Sequence, residues 1–281
     1  MHQLITITRP IDPMYPTNRA IIILTLLVSI GAAGSSLYLG EVLSSAILQG
    51  FIAGIAIFFA WAISRELDPD SEYAALLPPT ICIPLLVVFP APGLLASLFL
   101  LLLLRVVNRT TGLPAGILDS VALLLLTGWL VMGGFWLAGP AAVAAFILDG
   151  QLDDPNPRQL RFAALLIIGV VAYIVISGVT VSSLPLPAAP WLLILILVSP
   201  LFFSSVLFRK DQILSVGDRT GEPLDRGRVQ AARLLGLSVM MVAIASGGVG
   251  ALILLLPVWA SLVGLGVHGS IMWIVARGRS G

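Results

Sequence analysis

The stretch SRELDPDSEY (residues 64–73) sets five acidic or basic side chains into ten positions directly after a long apolar run, and apolar sequence resumes behind it. Clusters of this kind recur and divide the chain into five apolar stretches, residues 20–63, 74–104, 117–148, 162–208 and 234–276. With 58% hydrophobic and 10% charged residues and a mean hydropathy of +1.06, the composition is far from the roughly 25% charged residues of soluble domains. It predicts an integral protein of the lipid bilayer. The N-terminus begins with mostly polar residues 1–19 rather than a short basic segment, so a cleaved signal is not expected.

A hydrocarbon core takes about 20 apolar residues per helix, within roughly 17–25. Three of the stretches exceed forty residues, so each is expected to be a hairpin, broken at GAAGSSLYLGE (31–41), SSLPLPAAP (182–190) and SGGVG (246–250). The other two hold breakers as well, FPAPG (89–93) and GGFWLAGP (133–140). If all five are hairpins, all fifteen Lys and Arg residues fall on one face, which is the positive-inside pattern. The expectation is an all-α polytopic membrane protein of about ten transmembrane helices, with both termini cytosolic, in an inner or plasma membrane. Residues 20–276 form its single membrane domain and 277–281 a cytosolic tail. Eight helices is the alternative, with the two shorter stretches as single tilted spans.

The polar loops resemble one another in alternation. ELDPD (66–70) matches QLDDPN (151–156), and YAALL (73–77) matches FAALL (162–166). NRTTGLP (108–114) likewise matches DRTGEPL (218–224). The unit is four helices repeated in parallel, about 20–116 and 117–233, followed by a final hairpin at 234–276. The inverted repeats of many ion-coupled carriers need an odd number of helices per unit instead.

Within the spans ionisable residues are scarce, and only His268 looks deep. Chemistry is therefore expected at the cytosolic rim. Cys82 is the single cysteine, which rules out a disulfide within the chain. No basic stripe or zinc-ligand spacing points to nucleic acid. Asp149 and Asp153 stand one helical turn apart and share a face if the sixth helix continues through them. Glu66, Asp68, Asp70 and Glu72 alternate, so an extended loop would point them one way. Two readings are open. The carboxylates form half-sites for Mg2+ over a diphosphate, with Arg65, Arg109, Arg158 and Arg219 contacting the same anion, or they form solvated ion pairs with those arginines.

Four helices duplicated, with acidic motifs after the second and sixth, resembles the UbiA superfamily of intramembrane prenyltransferases. Asp149-x-x-x-Asp153 looks like part of an Asp-rich motif of that family, and RELDPD (65–70) is similar to the R-E-I-x-K-D form of some members. The resemblance implies that Asp68, Asp70, Asp149 and Asp153 ligate Mg2+, that Arg65 and Arg109 hold a prenyl diphosphate, and that its ionisation gives an allylic cation for an apolar acceptor. The chain departs from the family in lacking N-D-x-x-D-x-x-x-D at residues 64–73 and in having one helix more than nine.

Two other classes fit the sequence. One is a transporter or flippase of an amphiphile, with loop arginines on headgroups. The other is a non-catalytic membrane subunit docking a protein partner through its longest polar loop, residues 209–231, which with Arg233 just beyond carries ten charged residues; loops of that size are commonly functional.

Overall fold

Backbone amides in hydrocarbon have no water to bond, so a spanning chain satisfies them within helices or a closed barrel. The computed structural model describes residues 5–89, 91–177, 190–209 and 213–278. Among these the chain forms ten α-helices: α1 Pro16–Tyr38, α2 Leu43–Leu67, α3 Leu77–Val88, α4 Leu94–Asn108, α5 Ile117–Met132, α6 Ala138–Gln151, α7 Arg158–Ser177, α8 Pro190–Leu207, α9 Arg226–Leu254 and α10 Leu256–Gly278. The extended pairing among the described residues is a single antiparallel bridge, Val216 to Pro223. The fold is that of a helical membrane protein.

Five helices, α1, α2, α7, α9 and α10, are long and apolar enough to cross a bilayer. The two shorter stretches are helix pairs, α3–α4 and α5–α6, broken where the Pro and Gly residues stand. Each of these four helices has 12 to 16 residues, or about 18–24 Å against a core of about 30 Å. Helix number and span number are thus separate quantities here.

One expected break moves, and another stands with a second break added. GAAGSSLYLGE does not turn as a whole: α1 continues through it to Tyr38, and the reversal falls at its end, where Gly40 has φ 90°. In SGGVG, Gly248 takes φ 59°, ψ −134° and interrupts α9, and a second break follows at Leu255 before α10. Of SSLPLPAAP only Pro190, the start of α8, lies within the described residues.

The α2 helix runs through the bundle and packs against α1, α3, α4, α9 and α10, while α4 meets α5, α6 and α9 on its other sides. Ile57, Ile63, Phe99, Leu103, Leu104, Phe146, Phe203 and Met240 are fully enclosed. Leu26, Leu27 and Ile30 of α1 and Ile167, Ile168 and Val171 of α7 face outward, as lipid-facing residues do. At the end of the bundle where α3 gives way to α4, the amide of Gly93 donates to the carbonyl of Leu254 at 3.0 Å, so the turn has a backbone partner away from water.

The small residues of GFIAG (50–54) serve the α1–α2 contact. A β-carbon on Gly50 would lie 2.5 Å from the carbonyl oxygen of Ser29 and 3.0 Å from Ala33, whereas one on Gly31 would meet nothing within 4 Å. Close backbone approach is what small-xxx-small spacing allows. Gly50→Leu should therefore lower stability by about 1–3 kcal/mol through overpacking, read as thermal unfolding of the detergent-solubilised protein, while Gly31→Leu should leave the midpoint unchanged or raised.

Candidate functional site

An anion in the last turn of a helix faces the negative end of the macrodipole, and the last turns of α2 and α6 hold Glu66 and Asp149, both fully buried. Each is stabilised there by guanidinium groups from other helices. Glu66 accepts from Arg105 Nε at 2.9 Å, Arg9 Nη1 at 3.3 Å, Asn108 Nδ2 at 3.1 Å and the Thr110 hydroxyl at 2.5 Å. Asp149 accepts from Arg109 Nε at 2.8 Å, Arg228 Nη1 at 2.9 Å and Asn156 Nδ2 at 3.4 Å.

The α9 helix ties these ends together. Arg228 also donates to the carbonyls of Val107, Asp153 and Asp154, and Arg233 to those of Leu67 at 2.7 Å and Val206 at 3.1 Å. These include backbone carbonyls at the ends of α2, α4 and α8 that no longer have a helical donor. Gln230 adds a bond to the carbonyl of Leu207 at 2.6 Å. Its first two turns thus place one charged or amide side chain against the end of each of α2, α4, α6 and α8.

Asp68, the C-cap of α2, receives Arg233 Nη2 at 3.2 Å and Arg209 Nη1 at 3.2 Å. Asp70 accepts from the Ser215 amide at 2.8 Å, its hydroxyl at 2.6 Å and the Leu214 amide at 3.1 Å, which pins the segment before α9. The alternating acids therefore do not point one way. Because α2 stays helical through Leu67, Glu66 and Asp68 leave it toward different partners. Asp149 and Asp153 do not share a helical face either. The helix α6 stops at Gln151, Leu152 is extended, and Asp153 is exposed.

The expected anion-binding arginines are similarly scattered. Arg109 is buried, at φ 52°, and bridges Asp149 to Asp154, the latter at 2.6 Å. Arg65 reaches Glu72 at 3.4 Å and the Pro69 carbonyl at 3.3 Å. Arg219 donates to the carbonyl of Thr8 at 3.0 Å. Arg158 has a 3.4 Å contact with Asn156 Oδ1. The deep His268 is half-buried, and its Nδ1 has no partner among the described residues.

The two R-T-G loops lie against each other. The amides of Asp218 and Arg219 donate to the carbonyls of Thr110 and Thr111, each at 3.1 Å. Gly112 has φ 84°, and a β-carbon on Gly217 would stand 2.6 Å from its Cα, so both glycines are needed for the approach. An N-terminal strap completes this polar cap. The amide and hydroxyl of Thr6 donate to Asp119 at 2.9 and 2.6 Å, Ile7 is buried, and Arg9 joins Glu66 to Asp218. Burial works against the charge on Arg9, but Glu66 and Asp218 outweigh it and raise its pKa above the ordinary arginine value.

Among the described residues no three His, Cys, Asp or Glu side chains come together to hold a metal ion. Asp68, Asp70, Asp149 and Asp153 do not form a common shell. Two are enclosed in separate arginine clusters, one binds backbone amides and one is exposed. Asp68 and Asp149 each accept from two guanidiniums, which already offset the negative charge that would draw Mg2+ to them. Arg228 and Arg233 are missed by sequence reasoning, which reads them only as charges of the polar loop 209–231 and its edge, whereas α9 already begins at Arg226. The chain matches no family model, no curated protein and no solved structure.

Removing one member of a buried ion pair leaves its partner uncompensated and costs about 3–5 kcal/mol. Asp149→Ala should therefore strongly destabilise the protein in chemical unfolding. Asp154→Ala, whose side chain is 87% exposed, should cost less than about 1 kcal/mol.

Proposed function

We propose that the chain is a non-catalytic membrane subunit whose polar cap, on the cytosolic side, docks a protein partner through the segment between α8 and α9. The observation that carries this reading is the engagement of Glu66, Asp68, Asp70 and Asp149 by arginines and amides, while apolar side chains stand uncovered on the same cap. Leu214 is 82% exposed and Val216 50%, in the segment that Asp70 holds by its backbone, and Tyr73 is 73% exposed on the loop that carries Asp70. Exposed apolar side chains held by fixed backbone contacts lose little freedom on association, which favours binding.

The parallel duplication belongs to the same reading. Its support is the pairing of the two R-T-G loops and the equivalent placement of buried acids at the ends of α2 and α6. The units would be α1–α4 and α5–α8, with α9 acting on both. A prenyltransferase of the UbiA type would share this arrangement, but it would need Asp68 and Asp149 released from their arginines.

Purification from native membranes after cross-linking, compared with a Leu214→Asp/Val216→Asp variant, tests the proposal. One partner protein should be recovered in stoichiometric amount with the unaltered chain and lost from the variant, with thermal stability unchanged. Prenyl diphosphate binding to the detergent-purified protein should be absent with or without Mg2+. Mg2+-dependent binding that disappears in Asp149→Asn/Asp153→Asn would overturn the proposal in favour of the enzyme.

A further inference from the structure

Arginines in the cap are bonded to carboxylates or carbonyls, and two on its flank stand apart. Arg158 and Arg161 occupy the first turn of α7, which holds no acidic residue. Arg158 makes only the 3.4 Å contact with Asn156, and Arg161 has no hydrogen-bond or ion-pair partner among the described residues. Cations at the positive end of a helix are unfavourable, and no acidic side chain in that turn offsets them.

Both line a groove of about 290 Å3 whose other walls are Ile117 of α5 and Phe162 and Leu165 of α7. Ile117 and Leu165 are more than half exposed, at 57% and 55%. Its charged end lies beside the polar cap, because Asn156 bonds Asp149 and Gln159 bonds Ser120 of α5. Its apolar wall follows α7, a helix long and apolar enough to span the bilayer. The groove is thus lined by apolar surface, and Arg158 and Arg161 border it through their stems at the end beside the polar cap.

We propose that this groove binds one anionic phospholipid, with the headgroup phosphate between Arg158 and Arg161 and an acyl chain on Phe162, Leu165 and Ile117. Guanidinium forks match phosphate oxygens in pairs. The phosphate would also offset the two cations at the start of α7. A free anion would satisfy the arginines but leave the apolar wall uncovered, and a zwitterionic lipid would bring its own cation to the site. This assignment moves the phosphate contact expected of Arg158 from a substrate to a resident lipid. It is independent of the docking proposal, since it concerns different residues, on α5 and α7, and reads lipid.

Native mass spectrometry of the detergent-purified full chain, titrated with phosphatidylglycerol or phosphatidylcholine, tests it. One phosphatidylglycerol per chain should be retained at least about tenfold more tightly than phosphatidylcholine. Arg158→Gln/Arg161→Gln should remove that preference, and Arg19→Gln, at an exposed arginine of α1, should keep it. Leu165→Trp, which fills the groove without changing charge, should also weaken retention, so the test stands even if the double variant unfolds. Equal retention of the two lipids, a preference that survives both groove variants, or displacement of phosphatidylglycerol by inorganic phosphate would each overturn the proposal.

Discussion

A carboxylate in the last turn of an apolar helix meets the negative end of the helix dipole on one side and hydrocarbon on the other, and Glu66 and Asp149 both stand in that position. Neither is tolerable unless positive charge arrives from another element, because an isolated buried ion costs several kcal/mol. The positive charge comes chiefly from α4 and α9, through Arg105, Arg109 and Arg228. Packing of the bundle and neutralisation of its polar end are therefore one event. An arrangement that brings α9 to the wrong helix ends deprives Asp149 of Arg228 and Asp68 of Arg233 at once.

Such matching contributes little net stability compared with an apolar core of equal volume. Its effect is on choice. The greasy faces of α2, α4 and α6 have many ways to pack against one another in lipid, where apolar association has no solvent preference behind it. Guanidinium forks aimed at particular carboxylates and carbonyls discriminate among those ways, since each misplacement leaves donors and acceptors unpaired. The same arginines compete with any metal ion for Glu66, Asp68 and Asp149.

Much of the helical framework was legible because apolar run length and breaker residues act locally. The Pro and Gly residues at 89–93 and 133–140 separate α3 from α4 and α5 from α6 as expected. The α1–α2 reversal was placed too early because Gly31, Gly34 and Ser35 stay within α1, and the chain turns only where Gly40 takes φ 90°. The site was far less legible. Asp68 finds Arg233 165 residues away, and Asp149 finds Arg228 79 residues away, and no local pattern encodes such pairings. The stop of α6 at Gln151, which separates Asp149 from Asp153, carries no glycine signal after it; Pro155 comes four residues later. Similarity between the two R-T-G loops was visible in sequence, and their direct contact was not.

The strap at Thr6–Arg9 adds a matter of timing. Arg9 is made early in synthesis, yet the carboxylate it pairs with at Asp218 follows 209 residues later, or about 10–40 s at 5–20 residues per second. Glu66 likewise waits for Arg105, and Asp149 for Arg228. Throughout that interval the strap has no complete dock, although Arg105 reaches Glu66 after 39 residues and Arg109 precedes Asp149 by 40. Seating of the strap is consequently a late step for a nascent chain, since it waits for the second R-T-G loop at Asp218 and Arg219.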